Sequence, residues 1–328
     1  MHLVTLDEIQ AAKQRLAGVA VHTPLLTLDP EVLAAAGVVV PYRIHIKRED
    51  LQPIGSFKLR GAFNKIAQLL PEALKRGVIA YSSGNHAQGV AFAARELGAK
   101  AVIVMPSTAP AVKREATAAL GAEVVLVGPS SSERMERAKE LAAQYGYTII
   151  PPYDDAEIVA GAATCGLEIV EDLLTVDCVL APVGGGGLLG GVSTAIKLTR
   201  PQTRVFGVEP ELAADATASF AAKQVVAWSG EQTARTIADG LRTQSIGELN
   251  LQHFMRHVDG MLTITENEMR DAMLLLAKTA GIMPEPSGAV ALAAALYHPE
   301  KLAPASEIAV VLSGGNVDPA LRDEILRG

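Results

Sequence analysis

Four loops of this 328-residue chain carry residue types that can do chemistry. The first contains Lys58, which follows Gly55-Ser56-Phe57 at the start of a helical pattern. An amine beside aromatic and aliphatic side chains, near a helix N-terminus, is disfavoured as the ammonium ion. Lys58 is therefore a candidate nucleophile for a carbonyl group, although a solvated surface lysine is the usual role of this residue type.

The second loop, APVGGGGLLGG, places four consecutive glycines, Gly184 to Gly187, between a strand and a helix. Without side chains, these residues can turn their N–H groups inward toward an anion, and the helix N-terminus adds partial positive charge. The loop lacks the P-loop signature, and no dinucleotide-binding pattern follows a strand convincingly. It therefore predicts a cradle for the phosphate of a smaller cofactor, with a flexible turn as the alternative.

Two further loops offer hydroxyl and amide groups. YSSGNHAQG presents Ser83 and Asn85 at a helix start, where free N–H groups suit a carboxylate, although an ordinary helix cap explains this loop taken alone. VVLSGGN presents Ser313, whose hydroxyl can face a heterocyclic nitrogen or start a turn. An amine for a carbonyl, a phosphate cradle and a hydroxyl for a ring nitrogen together indicate pyridoxal phosphate.

Short apolar runs separated by helical segments must position these loops. The runs lie at 42–47, 78–82, 101–105, 123–127, 147–150, 178–183, 204–208 and 308–312. Strands that alternate with helices favour a mostly parallel sheet covered on both faces. We therefore predict an α/β protein that binds its ligand beyond the carboxyl ends of the strands. Pro151-Pro152 and, less strongly, Pro71 mark the places where the chain would cross between two domains.

Bulk composition narrows the classes of partner. Hydrophobic residues make up 49% of the chain, as in a compact globular protein. The net charge of −7, with dispersed Lys and Arg, argues against a nucleic-acid footprint. Because no long apolar span and no signal-peptide pattern is found, we expect a cytoplasmic protein with small-molecule partners and no membrane contact. Cys165 and Cys178 lack metal-site spacing and are expected to be buried.

Four motifs in this order, KREDLQPIGSFKLRGAFNKI, SSGNHAQGVA, PVGGGGLLGG and LSGGN, resemble the fold-type II pyridoxal-phosphate enzymes. Within them the chain resembles the serine/threonine dehydratase and serine racemase branch, from about residue 22 to residue 318. The resemblance implies a fold like the tryptophan synthase β-subunit. Residues 1–70 with 151–328 would form a large domain, and residues 71–150 a small inserted one. The cofactor would lie in the cleft between them, and the assembly would be a homodimer.

The resemblance also implies roles for individual residues. Lys58 would carry the cofactor, with Phe57 packed beside its ring. Asn85 would bond the ring hydroxyl oxygen, and Ser313 would face the ring nitrogen. The phosphate would be held by Gly184, Gly185, Gly186, Gly187 and Leu188. The substrate carboxylate would be received by Ser83, Asn85 and His86.

In a related subset of this family, a divalent cation is held by two carboxylates and a carbonyl after a strand. VEPELAAD supplies Glu209, the Ala213 carbonyl and Asp215 at the matching positions. Oxygen ligands of this kind suit Mg²⁺ or Ca²⁺. Solvated carboxylates at a strand end are the alternative explanation.

The reaction implied is β-elimination from a β-hydroxy amino acid, which yields a 2-oxo acid and ammonia. L-threonine, L-serine and threo-3-hydroxyaspartate are the candidate substrates. Lys58 would remove the α-proton as general base. A neutral Ser313 beside the ring nitrogen makes a weaker electron sink than a carboxylate would, and this suits a reaction in which the β-hydroxyl departs.

Racemisation of serine or aspartate, with elimination as a side activity, is the competing prediction because Ser83 can act as an acid/base on the opposite face. Arg134 lies where a racemase-like relative places an arginine for a second carboxylate, although pairing with Glu133 on a helix surface is equally consistent. A non-catalytic binding protein is the third possibility. Ala162, Ala163 and Ile54 replace the family's usual Gln, Gly and Thr, with an effect that the sequence does not define.

Overall fold

The structure is a computed structural model that describes residues 2–128 and 131–327. In this part of the chain the strands are β1 Leu25–Thr27, β2 Arg43–Arg48, β3 Val78–Tyr81, β4 Ala101–Pro106, β5 Glu123–Val127, β6 Thr148–Ile149, β7 Cys178–Pro182, β8 Arg204–Pro210, β9 Gly260–Ile264 and β10 Glu307–Leu312. The helices before residue 173 are α1 Leu6–Leu16, α2 Pro30–Ala35, α3 Lys58–Ile66, α4 Pro71–Arg76, α5 Asn85–Glu96, α6 Ala111–Ala119, α7 Ser131–Tyr145 and α8 Ala156–Asp172. The later helices are α9 Gly187–Thr199, α10 Asp215–Ala222, α11 Gly230–Thr233, α12 Glu248–His257, α13 Glu266–Ala280, α14 Pro286–Tyr297, α15 Pro299–Leu302 and α16 Pro319–Arg327.

The larger sheet has six strands in the order β1-β2-β10-β7-β8-β9, and all neighbours run parallel except β1 and β2. Successive residues of its central strands pack on opposite faces. Val179 and Val311 belong to one hydrophobic cluster, whereas Leu180 and Val310 belong to the other. Because helices cover both faces, β7 and β10 are buried at every position.

The smaller sheet has four strands in the order β5-β4-β3-β6, and all of them run parallel. One face packs against α5 through Ala87 and Val90, and the other packs against α7 through Ala138 and Leu141. Two sheets, mostly parallel and each covered by helices on both faces, confirm the predicted α/β fold.

Helix α3 packs against both units. Leu59, Phe63 and Ile66 belong to the hydrophobic cluster of the smaller sheet, while the same helix also packs on α8. Helix α8 in turn contributes Val159 and Ala163 to a cluster of the larger sheet. The predicted domain bounds at residues 70/71 and 150/151 stay a prediction, and α3 lies at the junction.

The sequence analysis missed two strands, β1 and β9, which form the two edges of the larger sheet. Strand β1 has only three residues, none of them fully buried. Strand β9 has one fully buried residue, Ile264. An edge strand needs no continuous apolar run because one side of it faces no further strand, so the pattern that predicts central strands is absent here.

Both cysteines are buried and unpaired, which confirms their predicted role as small core residues. Within the ranges 2–128 and 131–327, no helix combines the length and the apolar composition needed to cross a membrane.

Candidate active site

A cavity of about 750 Å³ lies where strands of both sheets end. Its wall includes the loops after β3, β7 and β10 and the first turn of α3. The predicted cofactor and substrate residues that line it are Phe57, Lys58, Ser83, Asn85, His86, Arg134, Gly184, Gly185, Gly186, Gly187, Leu188 and Ser313. The structure therefore brings the four loops of the sequence analysis into one space, as expected for the carboxyl ends of parallel strands.

Lys58 is the first residue of α3, and its amine faces this cavity. Its Nζ donates to the Pro152 carbonyl at 2.8 Å and lies 5.2 Å from the centre of the Phe57 ring. Burial lowers the pKa of the Lys58 amine to about 8, and the negative charge of Glu285 only partly opposes this shift. A larger fraction of this amine is therefore uncharged near neutral pH than for an exposed lysine.

The turn before Lys58 is tied to the end of strand β10. The Phe57 N–H donates to the Ser313 carbonyl at 3.0 Å, and the Gly315 N–H donates to the Gly55 carbonyl at 2.9 Å. Gly55 has φ +70°, a conformation that favours glycine. These bonds fix the amine-bearing turn and the Ser313 loop relative to each other, although they are far apart in sequence.

The glycine loop opens helix α9 in a conformation that only small residues allow. Gly186 has φ +93°, and a Cβ on Gly185 would lie 2.2 Å from the Tyr153 ring. The Gly185 carbonyl points away from the cavity and accepts from Asn250 Nδ2 at 2.7 Å and from the Gly247 N–H at 3.1 Å. Among the described residues, no acceptor is found for the N–H groups of Gly184–Leu188. Those N–H groups and the helix N-terminus suit a phosphate.

The Asn85 side chain takes part in a hydrogen-bonded group that the sequence analysis did not predict. Asn85 Nδ2 donates to Glu285 Oε1 at 2.7 Å, and Asn316 Nδ2 donates to Asn85 Oδ1 at 2.7 Å. Burial, together with the charge of Asp239, raises the pKa of Glu285 to about 7. Glu285 precedes Pro286 at the start of α14, so in the sequence it resembles an ordinary helix-start residue.

His86 is neutral in this structure. Its Nε2 lies 2.9 Å from the Ile150 carbonyl, which can only accept, so this nitrogen carries the hydrogen. Burial and the nearby Lys58 charge lower the pKa of His86 to about 3. Because Nδ1 of this neutral ring can only accept, the predicted contact with a substrate carboxylate depends on the backbone N–H of His86, and it stays a prediction.

Ser83 and Arg134 reach the cavity from the smaller sheet. Ser83 lies in the turn between β3 and α5, and Arg134 lies on α7. Burial lowers the pKa of the Arg134 guanidinium. Two other lining residues, Tyr81 at the end of β3 and Tyr153 between β6 and α8, were not predicted, because neither tyrosine has a sequence signal that separates it from a core aromatic.

An ion pair joins the two sides of the cavity. Lys113 Nζ of α6 lies 2.5 Å from Asp239 Oδ2 in the 239–241 turn, and both residues line the wall of the cavity. The sequence analysis missed this pair because its members are 126 positions apart and belong to different units.

The predicted cation ligands lie outside this cavity, at the end of β8 and the start of α10. Glu209 accepts from the Ala216 and Thr217 N–H groups, whereas neither oxygen of Asp215 has a partner at normal hydrogen-bond geometry in the described chain. Burial and the Asp215 charge raise the pKa of Glu209 to about 8, and burial raises that of Asp215 to about 7. Two buried carboxylates and the Ala213 carbonyl fit a hard divalent cation. In the described ranges, no group of three or more His, Cys, Asp or Glu suits a metal.

The three departures from the family pattern are all buried. Ala162 and Ala163 lie on α8, and Ala162 also lines a small pocket beside Lys58. Ile54 packs in the cluster of the smaller sheet.

The Lys58 amine and the glycine loop line one cavity where two mostly parallel sheets end, an arrangement that suits the class of pyridoxal-phosphate enzymes. The residues fit the cofactor because the unpartnered N–H groups suit its phosphate and the Ser313 hydroxyl lines the same cavity. The chain belongs to the family described as pyridoxal-phosphate dependent enzyme, whose model matches residues 19–314. The predicted family is thereby confirmed.

Individual relatives show which enzymes of this family the chain is similar to. The chain is 40% identical to L-threonine ammonia-lyase of Thermotoga maritima, over 99% of this chain and 78% of the relative. It is 39% identical to L-threo-3-hydroxyaspartate ammonia-lyase of Saccharomyces cerevisiae, over 84% of this chain and 83% of the relative. The structure of maize serine racemase matches with a TM-score of 0.92 and 33% identity, over 99% of this chain and 98% of the other.

Proposed function

We propose that this enzyme eliminates water from a β-hydroxy amino acid and, after water adds back to the product, releases ammonia and a 2-oxo acid. The observation that carries the proposal is the Lys58 amine, partly buried in the cavity and tied through Phe57 to the Ser313 loop. Relatives named as ammonia-lyases for L-threonine and L-threo-3-hydroxyaspartate support the reaction class.

Pyridoxal phosphate, when bound, supplies a conjugated ring that accepts the electron pair left by the α-proton. Lys58 would hold the cofactor and, once the substrate amine has replaced it there, would take the α-proton at its Nζ, whose lowered pKa favours the free amine. The N–H groups of Gly184–Leu188 would bind the phosphate, and the neutral Ser313 hydroxyl would face the ring nitrogen. Phe57 shields the Lys58 amine from water.

The substrate carboxylate binds at the start of α5, where Ser83 and the free N–H groups of the first turn face the cavity. Arg134 receives a β-carboxylate in substrates that carry one. The β-hydroxyl leaves as water, and addition of water to the remaining fragment releases ammonia and the 2-oxo acid.

We also propose that Glu209, the Ala213 carbonyl and Asp215 hold Mg²⁺ or Ca²⁺. The two unpartnered Asp215 oxygens support this site. The homodimer and the cytoplasmic location stay expectations from the sequence and its resemblance.

The direct test is a 2-oxo acid assay on cofactor-loaded protein with L-threonine, L-serine and threo-3-hydroxyaspartate. We expect equimolar 2-oxo acid and ammonia from at least one of them. Formation of the D-enantiomer alone from every substrate would contradict the proposal.

Racemisation is the second candidate function, and it is favoured by the presence of Ser83 in the same cavity as Lys58. Two groups on opposite faces of the α-carbon can exchange its proton in both directions. The Ser83→Ala variant should lose D-enantiomer formation and keep much of the elimination. Equal loss of both activities would mean that Ser83 serves binding instead.

A further inference from the structure

Four charged residues form a buried group behind helix α3, and we call them the Arg60 cluster: Lys47, Glu49, Arg60 and Glu168. None of these residues is more than 5% exposed, and Lys47 and Glu49 are fully buried. Buried ion pairs contribute little net stability because desolvation offsets their attraction. A gain in stability alone therefore does not explain why four charged side chains are buried together.

Arg60 is the centre of the cluster and uses all three of its guanidinium nitrogens. Its Nε and Nη2 donate to the two oxygens of Glu49 at 2.8 Å each. Its Nη1 and Nη2 donate to the two oxygens of Glu168 at 2.7 and 2.8 Å. Lys47 Nζ completes the charge balance at 2.7 Å from Glu168. Two bidentate pairs fix the guanidinium in position and in orientation.

The cluster lies opposite the Lys58 side chain across the same helical turn. Lys58 and Arg60 are two positions apart, which is roughly 200° around an α-helix. Arg60 therefore points into the buried cluster while Lys58 points into the cavity. A displacement of Arg60 would turn or shift the residue that carries the amine.

Close backbone contacts add to this restraint. A Cβ on Gly161 of α8 would lie 2.4 Å from the Arg60 carbonyl, and a Cβ on Gly89 of α5 would lie 3.1 Å from the Lys58 carbonyl. Helices α8 and α5 thus both pack closely against the backbone of the first turn of α3. The Arg60 side chain adds an anchor to Glu168 of α8 and to Glu49 after β2.

We propose that Arg60 is a positioning residue that sets where the Lys58 amine lies in the cavity. The Lys58 Nζ has one protein acceptor at hydrogen-bond distance among the described residues, the Pro152 carbonyl, so a small shift of α3 breaks that contact. This inference rests on the proposed role of Lys58 in holding the cofactor. Arg60 itself contacts neither the cavity nor the substrate.

The test uses a double variant, Arg60→Met with Glu49→Gln, because it removes one positive and one negative charge and leaves Lys47 paired with Glu168. Replacement of a buried ion pair by neutral side chains is often tolerated. We expect a Tm within a few degrees of the wild type. We expect the Kd for pyridoxal phosphate to rise by about tenfold, and kcat to fall by about 100-fold with little change in KM.

The control is Lys65→Met on the last turn of the same helix. Lys65 pairs with Asp155 at 2.8 Å and Glu157 at 3.0 Å, so its loss also removes α3 ion pairs. We expect this variant to keep the wild-type cofactor Kd and kcat. Wild-type Kd and kcat in the double variant would overturn the proposal, as would equal losses in the Lys65→Met control.

The cofactor measurements separate this inference from the proposed reaction. If the wild type binds pyridoxal phosphate but shows no elimination, the proposed reaction is wrong. The proposal for Arg60 can still be tested, because the Kd and the absorbance maximum of the bound cofactor can be compared between the wild type and the variants. Arg60→Lys provides a graded variant, because an ammonium cannot make two bidentate pairs. We expect its cofactor Kd to lie between those of the wild type and the double variant, and a wild-type Kd would contradict the need for the guanidinium.

Discussion

The two sides of helix α3 bury carboxylates to a similar depth but shift their pKa values in opposite directions. Glu49, behind the helix, is fully buried, and Glu285, in the cavity, is 5% exposed. Burial acts to raise the pKa of both carboxyl groups. For Glu49, the charge of Arg60 and hydrogen bonds from Arg60 and Thr23 outweigh burial and lower the pKa below its usual value. Glu285 accepts from the neutral Asn85 amide, and its pKa rises to about 7.

This difference shows that the local partner decides the charge of a buried group. Behind α3, each member of the Arg60 cluster has an oppositely charged partner within hydrogen-bond distance, and such pairing favours charged side chains. In the cavity, Lys58, His86 and Glu285 are all shifted toward their neutral forms. Groups whose pKa values lie near the working pH can exchange protons, so the cavity side is suited to chemistry and the cluster side to rigidity.

The largest effect that we expect comes from the cavity side. Lys58→Ala should lower kcat for 2-oxo acid formation by at least about 1,000-fold, because it removes the residue that we propose as both cofactor attachment and base. Steady-state assays with L-threonine would measure it. The matched control is Lys65→Ala at the other end of α3, which should keep near wild-type kcat. A Lys58→Ala protein with substantial turnover would remove Lys58 from the mechanism.

The second prediction compares the two carboxylates directly in stability. Glu49→Gln leaves Arg60 short of one partner and should cost about 3–5 kcal/mol of unfolding free energy. In the folded protein at pH 6, Glu285→Gln exchanges one neutral group for another, and because the unfolded wild-type chain is ionised at this position, the variant should lose no unfolding free energy. Urea titration of both variants at pH 6 measures the difference. Similar losses of unfolding free energy in both variants would mean that ion pairing does not distinguish the carboxylate behind α3 from the one in the cavity.

The third prediction concerns the pH dependence caused by Glu285. Its pKa is raised from 4.5 to about 7 on folding, so the folded protein binds more protons than the unfolded chain between these values. Stability contributed by this group is therefore present below pH 4.5 and lost as the pH rises toward 7. Relative to Glu285→Gln, the wild type should lose on the order of 3 kcal/mol across this window. A pH-independent difference would show that Glu285 titrates normally.

The fourth prediction extends the comparison to Glu209 and Asp215, which are buried carboxylates without a cationic side chain as partner among the described hydrogen bonds and ion pairs. A bound Mg²⁺ or Ca²⁺ would supply the missing charge. Adding the cation at about 100 times its Kd to chelator-treated protein should raise the unfolding free energy by about 2.7 kcal/mol. The Glu209→Gln variant should show a much smaller gain, and an equal gain in both proteins would place the cation elsewhere.

Local sequence patterns predicted the fold well where both faces of a strand are buried. Strands β7 and β10 are apolar at every position and were recognised, whereas β1 and β9 at the sheet edges were not. The four loops were recognised because glycine runs and helix starts have local signatures. Glu285 and Asn316 acquire their roles only through contact with Asn85, which lies 200 and 231 positions away from them, so no local pattern reveals them.

The burial of Arg60 also could not be predicted from local sequence. It stands two positions from Lys58 inside a recognised motif, yet its partners Glu49 and Glu168 come from a turn after β2 and from α8. A charged residue on an amphipathic helix normally indicates an exposed face. Only the packing of α8 against α3 makes that position fully enclosed.

The position of β10 has a consequence for how the chain becomes an enzyme during synthesis. Although β10 is the last strand in the sequence, it lies between β2 and β7 in the middle of the larger sheet. Until residues 307–312 emerge, β2 and β7 have no strand between them, and the Phe57 turn lacks the Ser313 carbonyl that holds it. Because such long-range pairings form late, we expect nascent chains to capture the cofactor only once the sheet is complete.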